Sequence, residues 1–197
     1  MSALPKFALS RMTVAEFIDW PGDGSGLKHQ LVDGEPQAMA PASTTHGRIQ
    51  ATLARLLGNH LVGTGCAVII EPGVIPRIRS EANMRVPDIA VTCAADDPAS
   101  HALVEPIVLI EILSPSNEPE TRASVWTYTT IPSVREILLV RSTHIAAELI
   151  RRQSDGGWPA NPGAIGEGEA VLLDSIGFDC PLAAIYADTR FVSAAPR

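Results

Sequence analysis

Asp88 and Glu111 are the residues whose setting most suggests chemistry. Asp88 follows Pro87 inside RVPDIAV (85–91), and Glu111 stands in the middle of the apolar run VLIEIL (108–113), which stops at Ser-Pro-Ser-Asn. A carboxylate buried in such a run is costly unless something pairs with it. If the two segments are neighbouring strands, the acids meet at one sheet edge and form a hard oxygen site of the kind that Mg2+ or Mn2+ occupies. A cation there can polarise a phosphoryl oxygen and lower the pKa of a bound water. The competing structural reading has Asp88 capping a turn and Glu111 paired with a core arginine, or hydrogen-bonded to the Ser114–Asn117 turn. Buried ion pairs place acids in apolar strands too.

The elements that must position these acids are read from periodicity. Over 12–20, MTVAEFIDW predicts a helix with Thr13 as N-cap and Glu16 at the capping-box position. Asp33-Gly34 inside LKHQLVDGEPQAMA predicts a hairpin. Ile49, Leu53, Leu56, Leu57 and Leu61 form one apolar stripe along 43–61, the mark of a long amphipathic helix. Short β-branched segments at 66–71, 73–78 and 85–93 read as strands, and 107–113 as a strand covered on both faces. A helix over 118–130, with Pro119 in its first turn, precedes strands at 133–142 and 145–153. Residues 154–169 read as a Gly/Pro-rich loop, followed by a short strand near 170–173 and a last helix around 181–186. This order predicts a single α/β domain over 1–197, its central sheet flanked by the helices at 43–61 and 118–130.

Composition bounds the partners. The chain has 197 residues, 46% hydrophobic and 19% charged, which suffices for a sizeable core. No apolar run reaches membrane-spanning length, and the N-terminus does not read as a signal peptide, so a soluble cytoplasmic protein is expected. A net charge of −7 argues against a broad basic surface for duplex nucleic acid, though a metal-dependent nuclease site is itself acidic. Cys66, Cys93 and Cys180 are far apart and odd in number, which suits reduced, buried thiols. Phosphate-cradling glycine loops and a GxSxG elbow are absent.

VPDIAV, a spacer, VLIEILSPSN, a helix ending in Tyr128 and IPSVREILLV together resemble the Uma-two family of restriction-endonuclease-like proteins in the PD-(D/E)XK nuclease superfamily. LVDGEPQAMAPASTTHGRIQATLARLL is similar to that family's N-terminal block, a hairpin followed by a histidine at the start of a helix. The resemblance runs in order over about residues 12–190. It implies a restriction-endonuclease-like core at about 28–153, a four- or five-stranded mixed sheet with a helix on each side, and a C-terminal strand and helix within 170–190. It also implies that Asp88 and Glu111, with the carbonyl of Ile112, bind Mg2+ or Mn2+. Nucleic acid, most naturally DNA, is the implied substrate, and a homodimer the implied assembly. The alternative is a degenerate, non-catalytic binding or oligomeric module on the same fold.

That alternative draws on a missing lysine. The superfamily motif has a lysine two residues beyond the second acid, where this chain has Leu113; members that move it to the following helix would have it at Ser124. Only Lys6 and Lys28 occur, against thirteen arginines. A lysine positions the attacking water and, with a lowered pKa, helps deprotonate it. Arg122 is the nearest cation in sequence and can hold a phosphate bidentately, but it stays protonated. Lys28 can reach the site from the hairpin. Glu35 and Glu71 are candidates for a third acid, and Glu120 for a remnant of another; otherwise Glu35 is solvated and Glu120 favours a helix N-terminus. His46 either binds an anion at a helix start or fixes a neighbouring loop. Tyr128 and Trp126 read as packing residues rather than base-stacking platforms.

Overall fold

In the computed structural model, residues 11–115 and 118–192 are described. Lys6 lies outside them, as do Ser116 and Asn117 of the turn proposed as a partner for Glu111. Helix α1 (Val14–Ile18) begins as expected: the Thr13 hydroxyl accepts the Glu16 N–H while the Glu16 carboxylate accepts the Thr13 N–H. The hairpin β1 (His29–Val32) and β2 (Glu35–Ala38) turns at Asp33 and Gly34, whose φ values of 50° and 84° are those of the two-residue turn favoured between twisted strands. A Cβ at Gly34 would lie 2.7 Å from Arg11 Cβ, a second reason for glycine there.

Helix α2 (Thr44–His60) is capped by Ser43 and buries Ile49, Leu53 and Leu57 completely. Removing a leucine or isoleucine side chain from water contributes about 1.5–3 kcal/mol, so this stripe fixes which face of α2 meets the sheet. The sheet comprises β3 (Ala67–Ile70), β4 (Ile89–Thr92), β5 (Pro106–Leu113), β6 (Glu136–Arg141), β7 (Ala147–Arg151) and β8 (Gly163–Ile165), in that spatial order. Only β5 and β6 are parallel, with α3 (Glu118–Tyr128) as their crossover; the other neighbours are antiparallel. A separate hairpin, β9 (Ala170–Leu173) with β10 (Phe178–Pro181), leads into α4 (Leu182–Ile185).

Alternation along the central strands explains the continuous apolar run of β5. Val108, Ile110 and Ile112 pack with α2, α4 and the β9–β10 hairpin, whereas Leu109 and Leu113 pack with Val125 and Tyr128 of α3. Both faces are covered, so both sets of alternate positions must be apolar. Glu111 is the exception on the α3 face.

Several expectations are corrected. The sheet has six strands, because the segment expected to be loop at 154–169 contains β8, three residues that pair with β7. Residues 73–78 form no strand; only Val74 bridges Arg85, since Pro72 and Pro76 lack the N–H a ladder needs. The strand expected at 85–93 starts at Ile89, just beyond Pro87. Cys66 and Cys93 are joined in a disulfide, not held as separate reduced thiols. The antiparallel register is the cause: Ala67 faces Thr92, so the next pair outward is Cys66 with Cys93. Cys180 is a buried free thiol. Among the described residues, no helix is long and apolar enough to cross a membrane.

Candidate functional site

The β4–β5 register brings the two acids together. Ile89 faces Ile110 at the last paired position, so Asp88 and Glu111 stand opposite one another one step beyond it. The Asp88 side chain continues the ladder that its strand has left: Oδ2 accepts the Ile112 N–H at 2.6 Å. Oδ1 meets His46 Nε2 at 2.9 Å, while the Asp88 carbonyl accepts the Gln50 side-chain amide at 3.0 Å and the Glu71 N–H at 3.0 Å. His46 is set by the start of α2, where the Ser43 hydroxyl accepts its backbone N–H, and Gln50 follows one turn later on the same helix face.

Glu111 accepts a hydrogen bond from the Tyr128 hydroxyl at 2.6 Å. Burial, followed by the neighbouring charge of Asp88, holds its carboxyl well above the usual carboxylate range; the Tyr128 hydroxyl pulls the other way. A cation placed between the two neighbouring acids would offset both the burial of the Glu111 charge and its repulsion by Asp88. Tyr128 is pushed up as well, by burial first and by Glu111 second.

Both acids line a cleft of about 660 Å3 whose walls include Lys28, His46, Glu71, Glu120, Thr121 and Ser124. Lys28 pairs with Glu71, and that hydrogen bond keeps the Glu71 carboxyl below its ordinary range despite partial burial. The Glu71 backbone adopts φ 48°, a left-handed conformation rare outside glycine, at the point where its N–H meets Asp88.

The other residues singled out by sequence lie elsewhere. Arg122 donates twice to Glu148, at 3.0 and 2.7 Å, and once to Glu118, in a network that Arg141 completes away from the cleft. Its guanidinium is pushed further up by Glu148 and remains a fixed cation. Glu35 is exposed beside the hairpin turn, outside the cleft lining. Tyr128 is buried as expected, but Trp126 is 46% exposed and does not pack in the core. Sequence reasoning passed over Gln50, whose one signal is its spacing from His46. It also passed over Arg85, three residues before Asp88 and 7% exposed, with its guanidinium 3.5 Å from Ser124 Oγ.

The donor set suits a small hard cation. Among the described residues no three His, Cys, Asp or Glu side chains converge as a closed metal cage. Mg2+ is commonly held by one or two carboxylates while keeping several waters, so two acids at an open cleft fit its chemistry better than a cage would. In extended backbone a residue's N–H and C=O face the same neighbour, so the Ile112 carbonyl leaves β5 on the edge where its N–H meets Asp88.

Residues 14–183 match the Uma2 family, described as "Putative restriction endonuclease". An uncharacterized protein, slr1290, of Synechocystis sp. is 30% identical over 156 residues, covering 78% of this chain and 81% of the relative. A crystal structure of "a putative nuclease belonging to DUF820" from Anabaena variabilis shares the fold, with a TM-score of 0.70 over 89% of this chain and 97% of that one at 15% identity.

Proposed function

Because the chain belongs to the Uma2 family, we propose that it is a Mg2+- or Mn2+-dependent endonuclease of the PD-(D/E)XK type, with DNA as its substrate. The observation that carries this reading is the β4–β5 register, which sets Asp88 opposite Glu111 with both acids lining one open cleft. Asp88, Glu111 and the Ile112 carbonyl would hold the ion. When bound, it supplies positive charge at a phosphoryl oxygen and makes a nearby water more acidic.

The chain's own residues do the rest. His46 and the Ile112 N–H fix the two Asp88 oxygens, each of which keeps a lone pair for a cation. Tyr128 fixes Glu111. Lys28 takes the part of the lysine missing at Leu113 and Ser124: it enters the cleft from the hairpin and presents an ammonium group where a water or a phosphate oxygen is to be oriented. Glu71 holds that ammonium in place.

Cleavage of supercoiled plasmid and of labelled DNA and RNA duplexes tests this, in Mg2+, in Mn2+ and in chelator. Asp88→Ala and Glu111→Ala are expected to reduce cleavage to the chelator background with circular dichroism unchanged, and Lys28→Ala to slow it while leaving Mn2+ binding intact by calorimetry. Unchanged cleavage in both acid variants refutes the mechanism. Tight Mn2+ binding with neither DNA nor RNA cut would assign the chain to a non-catalytic binding module.

A further inference from the structure

Arg85 is the odd member among the buried charges. Asp88, Glu111 and Glu136 each have close hydrogen-bond partners, Glu136 being held by Arg151 and by the N–H groups of Asp174 and Ser175. Arg85 is more than nine-tenths buried, yet its Nε has no partner and, among the described residues, no carboxylate lies within 4.0 Å of its guanidinium. Of the two groups that favour its charged form, Tyr128 is bonded to Glu111, and Asp33 is already engaged by Arg79 at 3.0 Å and by Asn83. Its backbone cannot swing away, because it exchanges both hydrogen bonds with Val74 at 2.8 Å. A buried guanidinium so under-partnered is a fixed positive charge awaiting an anion.

The way to that anion runs through Ser124. Arg85 Nη1 donates to Ser124 Oγ over 3.5 Å, a long contact. Ser124 lines the cleft on the α3 wall. Its oxygen accepts from the guanidinium, and none of the described residues accepts from its own hydroxyl, which leaves one O–H donor for a ligand in the cleft. Beside Ser124 the cleft carries the acids Asp88, Glu111 and Glu120, while its lysine, Lys28, enters from the hairpin and is paired with Glu71, so the Arg85–Ser124 pair is what favours an incoming negative charge on the α3 wall.

We propose that Ser124, polarised by Arg85 behind it, forms a phosphate subsite that binds a non-bridging oxygen of a nucleic-acid phosphodiester. Ser124 touches the phosphate; Arg85 is a positioning residue that acts through it, and the ligand draws the long contact shorter. The subsite rests on the nuclease reading for its substrate but not on metal binding for its existence.

The test measures binding of a fluorescein-labelled 12-base-pair DNA duplex by anisotropy in Ca2+, alongside Mn2+ calorimetry and thermal unfolding. Ser124→Ala, a small change that keeps the fold, is expected to weaken duplex binding by about tenfold or more while Mn2+ affinity is unchanged. Arg85→Gln is expected to produce a similar loss, Arg85→Lys to restore most of it, and the Ser124→Ala/Arg85→Gln double variant to lose no more than either alone, as two members of one relay must. Wild-type affinity in Ser124→Ala, losses that add in the double variant, or a wild-type protein that binds no duplex would each overturn the subsite. A Ser124-dependent duplex affinity without any Mn2+ binding would keep the subsite and discard the metal-dependent mechanism.

Discussion

Burial and the charge of Asp88 raise the Glu111 carboxyl, so between the ordinary carboxylate value and the raised folded value the native state holds a proton that the unfolded chain has released. The sign follows directly: with more protons bound in the folded state, this group's contribution to stability is greatest at acid pH and declines as pH rises through that window. Glu111→Gln keeps an acceptor for Tyr128 and removes the charge. The variant is expected to melt a few degrees above wild type at pH 8, since about 1 kcal/mol moves Tm by roughly 2–4 °C in a chain of this size. The gap should close toward pH 4.5, and Mn2+ should raise Tm in wild type alone. A variant that melts below wild type at pH 8 would contradict the assignment of Glu111 as a penalised charge. At this scale the two acids were legible because charge inside an apolar strand is conspicuous. Arg85 was not, because a lone arginine in a mixed segment looks like surface.

The α3, β6 and β7 elements meet through Glu118, Arg122, Arg141 and Glu148. Arg122 hydrogen-bonds Glu148 and holds its carboxyl below the ordinary range, so this pairing stabilises the fold above that range and ceases to as pH falls through the lowered folded value. The side chains are partly exposed, which limits the pair to about 1 kcal/mol. Glu148→Gln should therefore lower the unfolding free energy by about that amount at pH 7, with the difference vanishing at low pH in urea titrations. Arg122→Ala should lose stability and keep any nuclease activity; loss of cleavage with unchanged stability would return Arg122 to the catalytic group. Helices and hairpin were readable from the sequence because their signals are local: Thr13 with Glu16, the α2 stripe, Asp33 with Gly34. Strand β8 was not, because Gly163–Ile165 carries no alternation and is a strand only where β7 offers it a ladder.

Across the whole molecule, the disulfide between Cys66 and Cys93 ties edge strand β3 to β4 at the end opposite Glu71 and Asp88. It closes a segment spanning 27 residues, for which chain-entropy arguments give about 2–4 kcal/mol. Reductant, or the paired Cys66→Ser/Cys93→Ser variant, is expected to lower Tm by several degrees while leaving Mn2+ affinity within about twofold. An unchanged melting curve in reductant would show that the link carries no stability. Alone, the sequence marked Asp88 and Glu111 as buried acids and showed where the long helices run and that a sheet lies between them, because periodicity and burial are written into neighbouring residues. The burial of Glu136 was decided by the tertiary structure. Tertiary structure decided what meets what: Asp88 opposite Glu111, Lys28 reaching Glu71 from a distant hairpin, Cys66 bonded to Cys93, Arg85 behind Ser124 and Arg122 turned away from the cleft. Each of these depends on strand register and helix placement: a shift of one residue in β5, for example, would send Glu111 to the other face, away from Tyr128.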